Sequence, residues 1–208
     1  MVARLILASA SPARLQTLRS AGLSPEVVVS GVDETTVTAD TVPGLTGRLA
    51  RLKAEAAAAR LGHDQRTTIV VGCDSLLELD GAAYGKPGSA AEAAGRWRRM
   101  RGRSGVLHTG HHVLVRRTGQ QRSDSAVAST TVHFADLTDA EIAAYVATGE
   151  PLEVAGAFTI DGLGGAFVSG IEGDHHNVVG ISLPLLRTLL RGLGIAWPSL
   201  WARRGPQG

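Results

Sequence analysis

The segment "RLILASASPARLQTL", residues 4–18, constrains the fold more than any other part of this sequence. It opens with an apolar run that is too continuous to alternate with solvent, which predicts a short buried strand. Ser11 and Pro12 then stand where an N-cap and the first helical residue are preferred, and Gly22 stands where a left-handed residue ends a helix. The segment therefore predicts a strand, a tight loop and a helix, the unit from which α/β proteins are built.

The remainder of the chain continues this alternation and then changes to antiparallel strands. "EVVVSG" from Glu26 and "TTIVVG" are typical of further strands, the second ending at Gly72 to Asp74, with a helix from about Leu45 to Leu61 between them. "LLELDGAAYGKP" predicts a hairpin that turns at Asp80-Gly81, and "GVLHTGHHVLVRR" with "SDSAVASTTVHFA" predicts a long antiparallel pair. We therefore predict an α/β fold with a mixed, twisted central sheet, flanking helices and two lobes around a cleft.

The length of 208 residues favours a single domain, residues 1–208, with the tail from about Pro198 partly loose. The chain holds one cysteine, Cys73, and begins without the charged-then-apolar layout of a signal peptide, so we expect a cytoplasmic protein. No apolar run approaches the roughly 20 residues of a membrane span, so we expect no membrane partner. The basic run "RWRRMRGR", Arg96 to Arg103, is either the cationic end of a helix or a polyanion-binding patch. Because the net charge is only +2, we expect the first and no nucleic-acid partner.

Asp74 is the strongest catalytic candidate. It follows a run of Ile, Val and Gly, at the carboxyl end of a predicted buried strand, where open α/β sheets form their ligand crevices. A turn-forming aspartate is the alternative. Cys73 beside it could be a nucleophile, but no histidine stands at a readable spacing to activate it, which favours a small buried apolar residue.

Acidic and basic residues at other element ends complete a candidate site. Asp33 and Glu34 could hold a hard divalent cation together with Asp74, or they could form a solvated acidic loop. The candidate anion-binding groups lie at the start of the first helix, in the second helix and after the hairpin: Ser9, Ser11, Arg14, Lys53 and Lys86. Each lysine alone is typical of a protein surface, but together these groups indicate a phosphate-rich ligand.

A carboxylate base beside phosphate requires such cations. One phosphate charge about 4 Å from the carboxylate costs roughly 4 kcal/mol at an effective dielectric constant of 20. Charge-assisted hydrogen bonds of about 1.5 to 3 kcal/mol each from arginine and lysine are large enough to offset it.

Several other motifs do not meet the requirements of known sites. "GKP" at Gly85 lacks the hydroxyl residue and the glycine spacing of a P-loop, and no helix pattern follows "GLGG" at Gly162. "DHH", Asp174 to His176, is similar to metal phosphoesterase motifs but has no further ligands at suitable spacing. The adjacent His111 and His112 point to opposite faces of a strand.

Four segments, in order along the chain, resemble the Maf family. They are "LASASPARLQTL", "RLARLKA", "VVGCDSLLELDG" with the "GKP" that follows it, and "GEPLEVAGAFTIDGLGGAFVSGIEGDHHNVVGISL". Together they run from about Leu5 to Leu190, nearly the whole chain, and the ordered set is far more specific than any one motif.

The resemblance implies a nucleoside triphosphate pyrophosphatase with a fold similar to that of inosine triphosphate pyrophosphatases. Such an enzyme cleaves between the α- and β-phosphates and uses a divalent metal cation, Mg²⁺ or Mn²⁺. The resemblance makes Asp74 the proton acceptor that activates water and Glu34 with Asp74 the acidic pair near the metal. The phosphate-binding positions that it implies are Ser9, Arg14, Lys53 and Lys86; Ser11 joins them on its place in the loop.

The chain departs from the family pattern at positions that the resemblance connects with substrate choice. Ala13 replaces an arginine, Ser75 stands where subgroups have threonine or glutamine, Asp161 replaces a glutamine or glutamate, and Val154 replaces a lysine. The chain therefore fits neither the subgroup acting on dTTP and UTP nor the one acting on 7-methyl-GTP. Either a broad substrate range or one directed at non-standard nucleotides is consistent with this pattern.

Two other functions stay open at this stage. A regulator of septum formation could use the same cleft only to sense nucleotides, and a nucleic-acid binder could use Arg96 to Arg103. The oligomeric state is also open, with a homodimer among the alternatives.

Overall fold

The computed structural model describes residues 3–62, 66–117 and 119–201, and its mixed α/β architecture confirms the predicted fold class. The strands are β1 Arg4–Leu7, β2 Glu26–Val27, β3 Thr68–Leu79, β4 Ala82–Tyr84, β5 Ser104–Arg117, β6 Gln120–Phe134 and β7 Val168–Glu172. The α-helices are α1 Pro12–Ser20, α2 Val42–Ala59, α3 Ala90–Met100, α4 Asp139–Ala147, α5 His175–Val179 and α6 Leu183–Gly192. Short 3-10 turns lie at Glu34–Thr36, Glu150–Glu153, Ala155–Ala157, Leu163–Phe167 and Trp197–Leu200.

The strands form one seven-stranded sheet in the order β2-β1-β3-β5-β6-β7, and β4 joins it through β3. β1 pairs in parallel with β2 and β3, and the other pairs are antiparallel. The predicted hairpin at Asp80-Gly81 and the long β5–β6 pair are both confirmed. The sheet is therefore parallel at one end and antiparallel at the other, as the order of sequence patterns predicts.

Helices cover the sheet on both faces. α2 packs its alanine-rich side on one face, where Ala54, Ala57 and Ala58 contact Ile6 and Val70. The opposite face carries two separate apolar cores. One joins β1 and β3 to α1 and α6, and the other joins β3, β5 and β6 to α3 and α4. These two cores define two lobes that share the sheet.

A gap in the strand pairing of β3 separates the two lobes. β1 pairs with one edge of β3 as far as Val71, and β4 pairs with the same edge from Leu77 onward. The opposite edge of β3 is paired with β5 from Thr68 to Glu78. Among the described residues, no strand pairs with residues 72–76 of β3 on the first edge, and we call this stretch the β3 gap. It lies beside the loop that joins β1 to α1.

Three elements differ from the sequence expectations in extent. β3 continues through Asp74 instead of ending there, so Asp74 lies inside a strand at the point where the parallel neighbour ends. β2 is confined to Glu26–Val27, and the chain then leaves the sheet. α2 starts at Val42, because Thr41 caps it by accepting a hydrogen bond from Gly44 N, and proline is tolerated in the first turn.

The described part of the tail packs against the body. Trp197–Leu200 form a 3-10 turn, and Leu200 is buried in the core of the first lobe. The tail beyond Trp201 lies outside the described residues. Among the helices within the described ranges, none combines the length and the hydropathy that a membrane crossing requires.

Candidate active site

Asp74 lies in the β3 gap with its side chain on the face that α2 covers. Its Oδ1 accepts a hydrogen bond of 2.6 Å from Lys53 Nζ, which α2 carries to the sheet. The same Nζ is 2.8 Å from Glu34 Oε1, in the 3-10 turn after β2. The structure thus brings Asp74, Lys53 and Glu34 together, and the two carboxylates converge on one point from different elements.

Burial sets the protonation behaviour of Asp74. The residue is only 6% exposed, and this desolvation raises its carboxyl pKa, while the charges of Lys53 and Arg14 act in the opposite direction. A raised pKa makes a carboxylate a better proton acceptor than an exposed aspartate. The environment of Asp74 therefore suits a general base.

Close packing makes the approach of α2 to Asp74 possible. A Cβ at Gly72 would overlap the backbone carbonyl of Ala50, and a Cβ at Gly110 would overlap that of Thr46. These glycines of β3 and β5 let the helix backbone lie directly on the sheet. Lys53, one turn beyond Ala50, can then reach the carboxylate with its stem buried.

Arg14 lies on the opposite face of the sheet and is held by four hydrogen bonds. Its Nη1 donates to Ser9 Oγ at 3.0 Å and to the Cys73 carbonyl at 3.1 Å, within the β3 gap. Its Nη2 donates to Ser75 Oγ at 2.8 Å, and its Nε donates to the Gly180 carbonyl at 2.7 Å. A guanidinium has five N–H donors, so the acceptors among the described residues engage four of them.

Ser9 and Ser11 form the loop between β1 and α1. Ser9 Oγ accepts from Arg14 Nη1 at 3.0 Å and from Ser11 N at 3.2 Å, so both of its lone pairs are engaged and its own proton remains to donate. Ser11 is the N-cap of α1, and its Oγ accepts from Arg14 N at 3.4 Å, as the sequence predicts. The loop therefore presents hydroxyl donors at a helix start.

Lys86 lies on the other flank of the gap. The chain leaves β4 at Tyr84, opposite Leu77, and Gly85 then lies against Leu76. Lys86 Nζ is 3.7 Å from Glu153 Oε2, and both side chains are largely exposed. The structure thus does not pair Lys86 with Asp74 or Glu34. Lys86 lies at the rim of the second lobe.

The positions expected to govern substrate choice lie in different elements of the fold. Val154 lies between the Glu150–Glu153 and Ala155–Ala157 turns. Ala13 is in the first turn of α1, and Asp161 is exposed in the loop before the Leu163–Phe167 turn. Ser75 lies in the β3 gap, and its Oγ is 2.9 Å from Thr109 Oγ1 in addition to its bond with Arg14. Only Ser75 among them contacts another predicted site residue through a hydrogen bond among the described contacts.

Two residues in this neighbourhood escaped the sequence analysis, namely Thr109 and Gly180. Thr109 is directly opposite Ser75 in the β3–β5 register, and Gly180 ends α5 with a φ of 120°. The register was the signal that could have identified Thr109, because cross-strand partners on one face are in contact. Gly180 contributes a backbone carbonyl, a group that every residue has, so the residue type could not have indicated it.

Cys73 and His111 are structural, in agreement with the sequence analysis. Complete burial raises the Cys73 pKa to about 12, so its reactive thiolate form is suppressed. His111 Nε2 accepts from Ser182 N at 2.9 Å, and its Nδ1 lies 3.0 Å from the Thr109 carbonyl. The imidazole is therefore a neutral link between β5 and the start of α6.

The basic run Arg96 to Arg103 is partly neutralised by its surroundings. Acidic side chains lie within ion-pair distance of four of its arginines; the pairs are Arg96–Glu92, Arg98–Asp139, Arg101–Asp139 and Arg103–Asp80. Arg96 and Arg99 also lie over the ring of Tyr84. This arrangement agrees with the cationic end of a helix and gives no support to a polyanion-binding patch.

Glu34 and Asp74 suit an ion such as Mg²⁺, which needs few protein ligands, better than an ion that requires a full set of protein ligands. Their oxygens lie within 2.8 and 2.6 Å of one cation, the Lys53 ammonium. Within the described ranges, no cluster of three or more His, Cys, Asp or Glu side chains is arranged to hold a metal ion. Mg²⁺ is commonly bound by one or two carboxylates, with water and substrate phosphates completing its shell, so two carboxylates are sufficient.

Comparisons with known proteins identify a family and several relatives that are similar to this chain. The family described as Maf-like protein matches residues 4–193. The nucleoside triphosphate pyrophosphatase of Salinispora tropica is 62% identical over 202 residues, 96% of this chain and 88% of the relative. Proteins of the same name from Streptomyces coelicolor and Cutibacterium acnes are 58% and 55% identical, over 96% and 98% of this chain and 95% and 96% of the relatives. The solved structure of the Staphylococcus aureus Ham1 protein is 18% identical with a TM-score of 0.38, and the match covers 64% of this chain and 72% of that one.

Proposed function

The chain belongs to the family of Maf-like proteins, and from this premise we propose that it is a nucleoside triphosphate pyrophosphatase, a hydrolase acting on acid anhydrides. Relatives bearing that name are 55% to 62% identical to it over nearly its whole length. The reaction consumes one water and one nucleoside triphosphate and yields the nucleoside monophosphate and pyrophosphate.

The observation that supports this proposal best is the convergence of opposite charges at the β3 gap. A buried aspartate with a raised pKa faces a lysine and a second carboxylate on one side of the strand. On the other side, Arg14 and the hydroxyls of the first loop surround the same stretch of backbone. A polyphosphate chain needs both kinds of group, because its charge must be neutralised while a base acts beside it.

The residues at the β3 gap can each be assigned a step of the reaction. We assign Asp74 to accept a proton from water while the water oxygen bonds to the α-phosphorus. The bond between that phosphorus and the oxygen leading to the β-phosphate breaks, and pyrophosphate leaves with that oxygen. Lys53 favours the ionised form of Asp74 and orients it, and Ser9, Ser11, Arg14 and Lys86 donate to phosphate oxygens.

A divalent cation, Mg²⁺ or Mn²⁺, would be held by Glu34 and Asp74. When bound, it neutralises phosphate charge and orients the polyphosphate. Lys53 lies between the same two carboxylates, so it keeps them close together and partly neutral before the ion arrives.

Isotope transfer tests the proposed reaction directly. The protein with MgCl₂ or MnCl₂ is incubated in ¹⁸O-water with a panel of standard and modified nucleoside triphosphates, and the products are analysed by mass spectrometry. Attack at the α-phosphorus places the label in the monophosphate and none in the pyrophosphate. Label in pyrophosphate, or release of inorganic phosphate with a nucleoside diphosphate, would contradict the assignment.

Two variants test the role of Asp74. We expect Asp74→Asn to lower turnover by about 100-fold or more, the usual contribution of a general base. Asp80→Asn makes the same chemical change at an exposed hairpin turn and should leave turnover unchanged; asparagine tolerates the positive φ of 53° found there. Equal turnover in Asp74→Asn and the wild type would overturn the assignment. Tight nucleotide binding without hydrolysis by the wild type would instead favour the nucleotide-sensing regulator.

A further inference from the structure

We propose that Ser75 and Thr109 are positioning residues that fix the Arg14 guanidinium. The proposal rests on the proposed function, because it concerns how the same site holds phosphate. It gives Ser75 a role in phosphate binding that the resemblance did not imply.

Counting one proton for each hydroxyl orders the hydrogen bonds from Arg14 to α5. Thr109 Oγ1 donates its only proton to the Asn177 carbonyl at 3.2 Å. The 2.9 Å contact between Ser75 Oγ and Thr109 Oγ1 must then use the Ser75 proton, with Thr109 as acceptor. Arg14 Nη2 in turn donates to Ser75 Oγ at 2.8 Å. The series of hydrogen bonds therefore runs from Arg14 through Ser75 and Thr109 to the backbone of α5.

This direction leaves Ser75 without a proton for a ligand. A phosphate oxygen needs a donor, and the Ser75 hydroxyl already donates its hydrogen to Thr109, so its remaining lone pair can only accept. Ser9 is in the opposite state, because its oxygen accepts twice and its hydrogen remains. Of these two serines beside Arg14, only Ser9 can donate to phosphate without breaking an existing bond.

The series of hydrogen bonds from Arg14 ends at buried, well-connected residues. Thr109 and Asn177 are both fully buried, and the Asn177 amide also donates to the Leu107 carbonyl and to Thr130 Oγ1. Arg14 also donates to Ser9 in the first loop, to the Cys73 carbonyl in β3 and to the Gly180 carbonyl at the end of α5. The guanidinium is therefore held by several elements. One Nη2–H remains without an acceptor among the described residues, and its direction depends on the bond that Ser75 accepts from the same nitrogen.

Loss of this bond should affect all nucleotides equally. A guanidinium that can rotate binds phosphate less well, in the ground state and the transition state alike, whichever base is attached. Removing the hydroxyl should therefore raise KM by about tenfold, the loss typical of one charge-assisted hydrogen bond, with kcat little changed. A residue that reads the base would change the ratios between nucleotides.

The experiment compares Ser75→Ala and Thr109→Val with the conservative variants Ser75→Thr and Thr109→Ser. Each variant of the first pair removes one of the two hydroxyl groups that connect Arg14 to α5, and each variant of the second pair keeps that hydroxyl group. KM and kcat are measured for at least four nucleoside triphosphates, and the affinity for inorganic pyrophosphate with MgCl₂ is measured by calorimetry. Ser129→Ala is the matched control, because it removes a hydrogen-bonded hydroxyl from the opposite face of the sheet. Urea unfolding checks that each variant is folded.

The proposal predicts an equal rise in KM for every nucleotide, a similar loss in pyrophosphate affinity, and recovery in the conservative variants. A changed order of nucleotide preference in Ser75→Ala, or wild-type KM and pyrophosphate affinity in that variant, would overturn it. Absence of hydrolysis by the wild type would refute the proposed function alone. The pyrophosphate affinities would still test the positioning role in that case.

Discussion

At the scale of single residues, the burial of Asp74, the proposed base, has a cost in stability. Its carboxylate is buried, and desolvation raises its pKa although Lys53 and Arg14 act in the opposite direction. A carboxyl whose pKa is higher in the folded state binds more protons there than in the unfolded state. The folded protein therefore loses stability as the pH rises from the ordinary aspartate value of about 3.9 to the raised value.

Asp74→Asn should accordingly be inactive without being unstable. In EDTA, the free energy of unfolding of the variant minus that of the wild type should increase as the pH rises from about 4 to 7, because only the wild type must ionise. Urea unfolding at several pH values measures this difference. A variant that is less stable than the wild type by more than about 1 kcal/mol at pH 7 would show that the ion pair with Lys53 outweighs desolvation.

His111 should make stability sensitive to acid. Burial lowers its pKa to about 4, and Ser182 N donates to its unprotonated Nε2. Since the unfolded state binds the proton more readily, stability falls as the pH falls from about 6.5 to 4, by at most about 3 kcal/mol. We expect His111→Gln to lack this part of the pH dependence of the unfolding free energy, whereas His175→Gln, at an exposed histidine, should retain it. An unchanged slope in His111→Gln would contradict this assignment.

Residue types indicated the chemistry of the site better than they indicated its contacts. The sequence patterns predicted that Asp74, Glu34 and Lys53 belong together, and the ion pairs agree. The hydrogen bonds of Arg14 to backbone carbonyls were not predictable, because they depend on where Cys73 and Gly180 lie in space. Backbone groups carry no residue-specific signal in a sequence.

At the scale of elements, α2 reaches the site through two glycines. Gly72→Ala and Gly110→Ala should each lower the free energy of unfolding by about 3 kcal/mol, the upper end for overpacking, because the added Cβ meets helix backbone that cannot rotate away. Gly95→Ala is the control: no atom outside its own helix lies within 4 Å of the added carbon, and alanine favours helix by about 1 kcal/mol. Thermal and urea unfolding would measure these opposite effects. Destabilisation by Gly95→Ala as large as by Gly72→Ala would contradict the close approach.

The extents of elements were predictable where local signals decide them. Ser11 and Pro12 start α1 as the sequence indicates, because capping is a contact between near neighbours. β3 was predicted too short, because its continuation through Asp74 depends on pairing with β5, more than 30 residues away. Polar residues inside a strand look like a strand end when the distant partner is unknown.

At the scale of the whole molecule, the gap in β3 makes the site a junction between lobes. Ser9, Ser11 and Arg14 belong to the first lobe, and Lys86 lies on the second. A polyphosphate that contacts both flanks connects the lobes, and any ligand that binds only the folded state stabilises it. Binding should therefore appear as a shift in the unfolding temperature of the entire chain.

Lys86 offers a way to separate this linkage from intrinsic stability. Its ion pair with Glu153 is long and exposed, and such pairs contribute about 0 to 1 kcal/mol, so Lys86→Ala should unfold at nearly the wild-type temperature without ligand. Pyrophosphate with MgCl₂ at about 100 times its Kd should stabilise the wild type by about 2.7 kcal/mol, which corresponds to roughly 5 to 10 °C. At the same concentration the shift should be clearly smaller in Lys86→Ala, and EDTA should reduce it in both proteins. Arg51→Ala, which removes an equally exposed cation from an ion pair with Glu55, should keep the full shift. Equal shifts in Lys86→Ala and Arg51→Ala would mean that the second lobe does not contact the polyphosphate through this lysine.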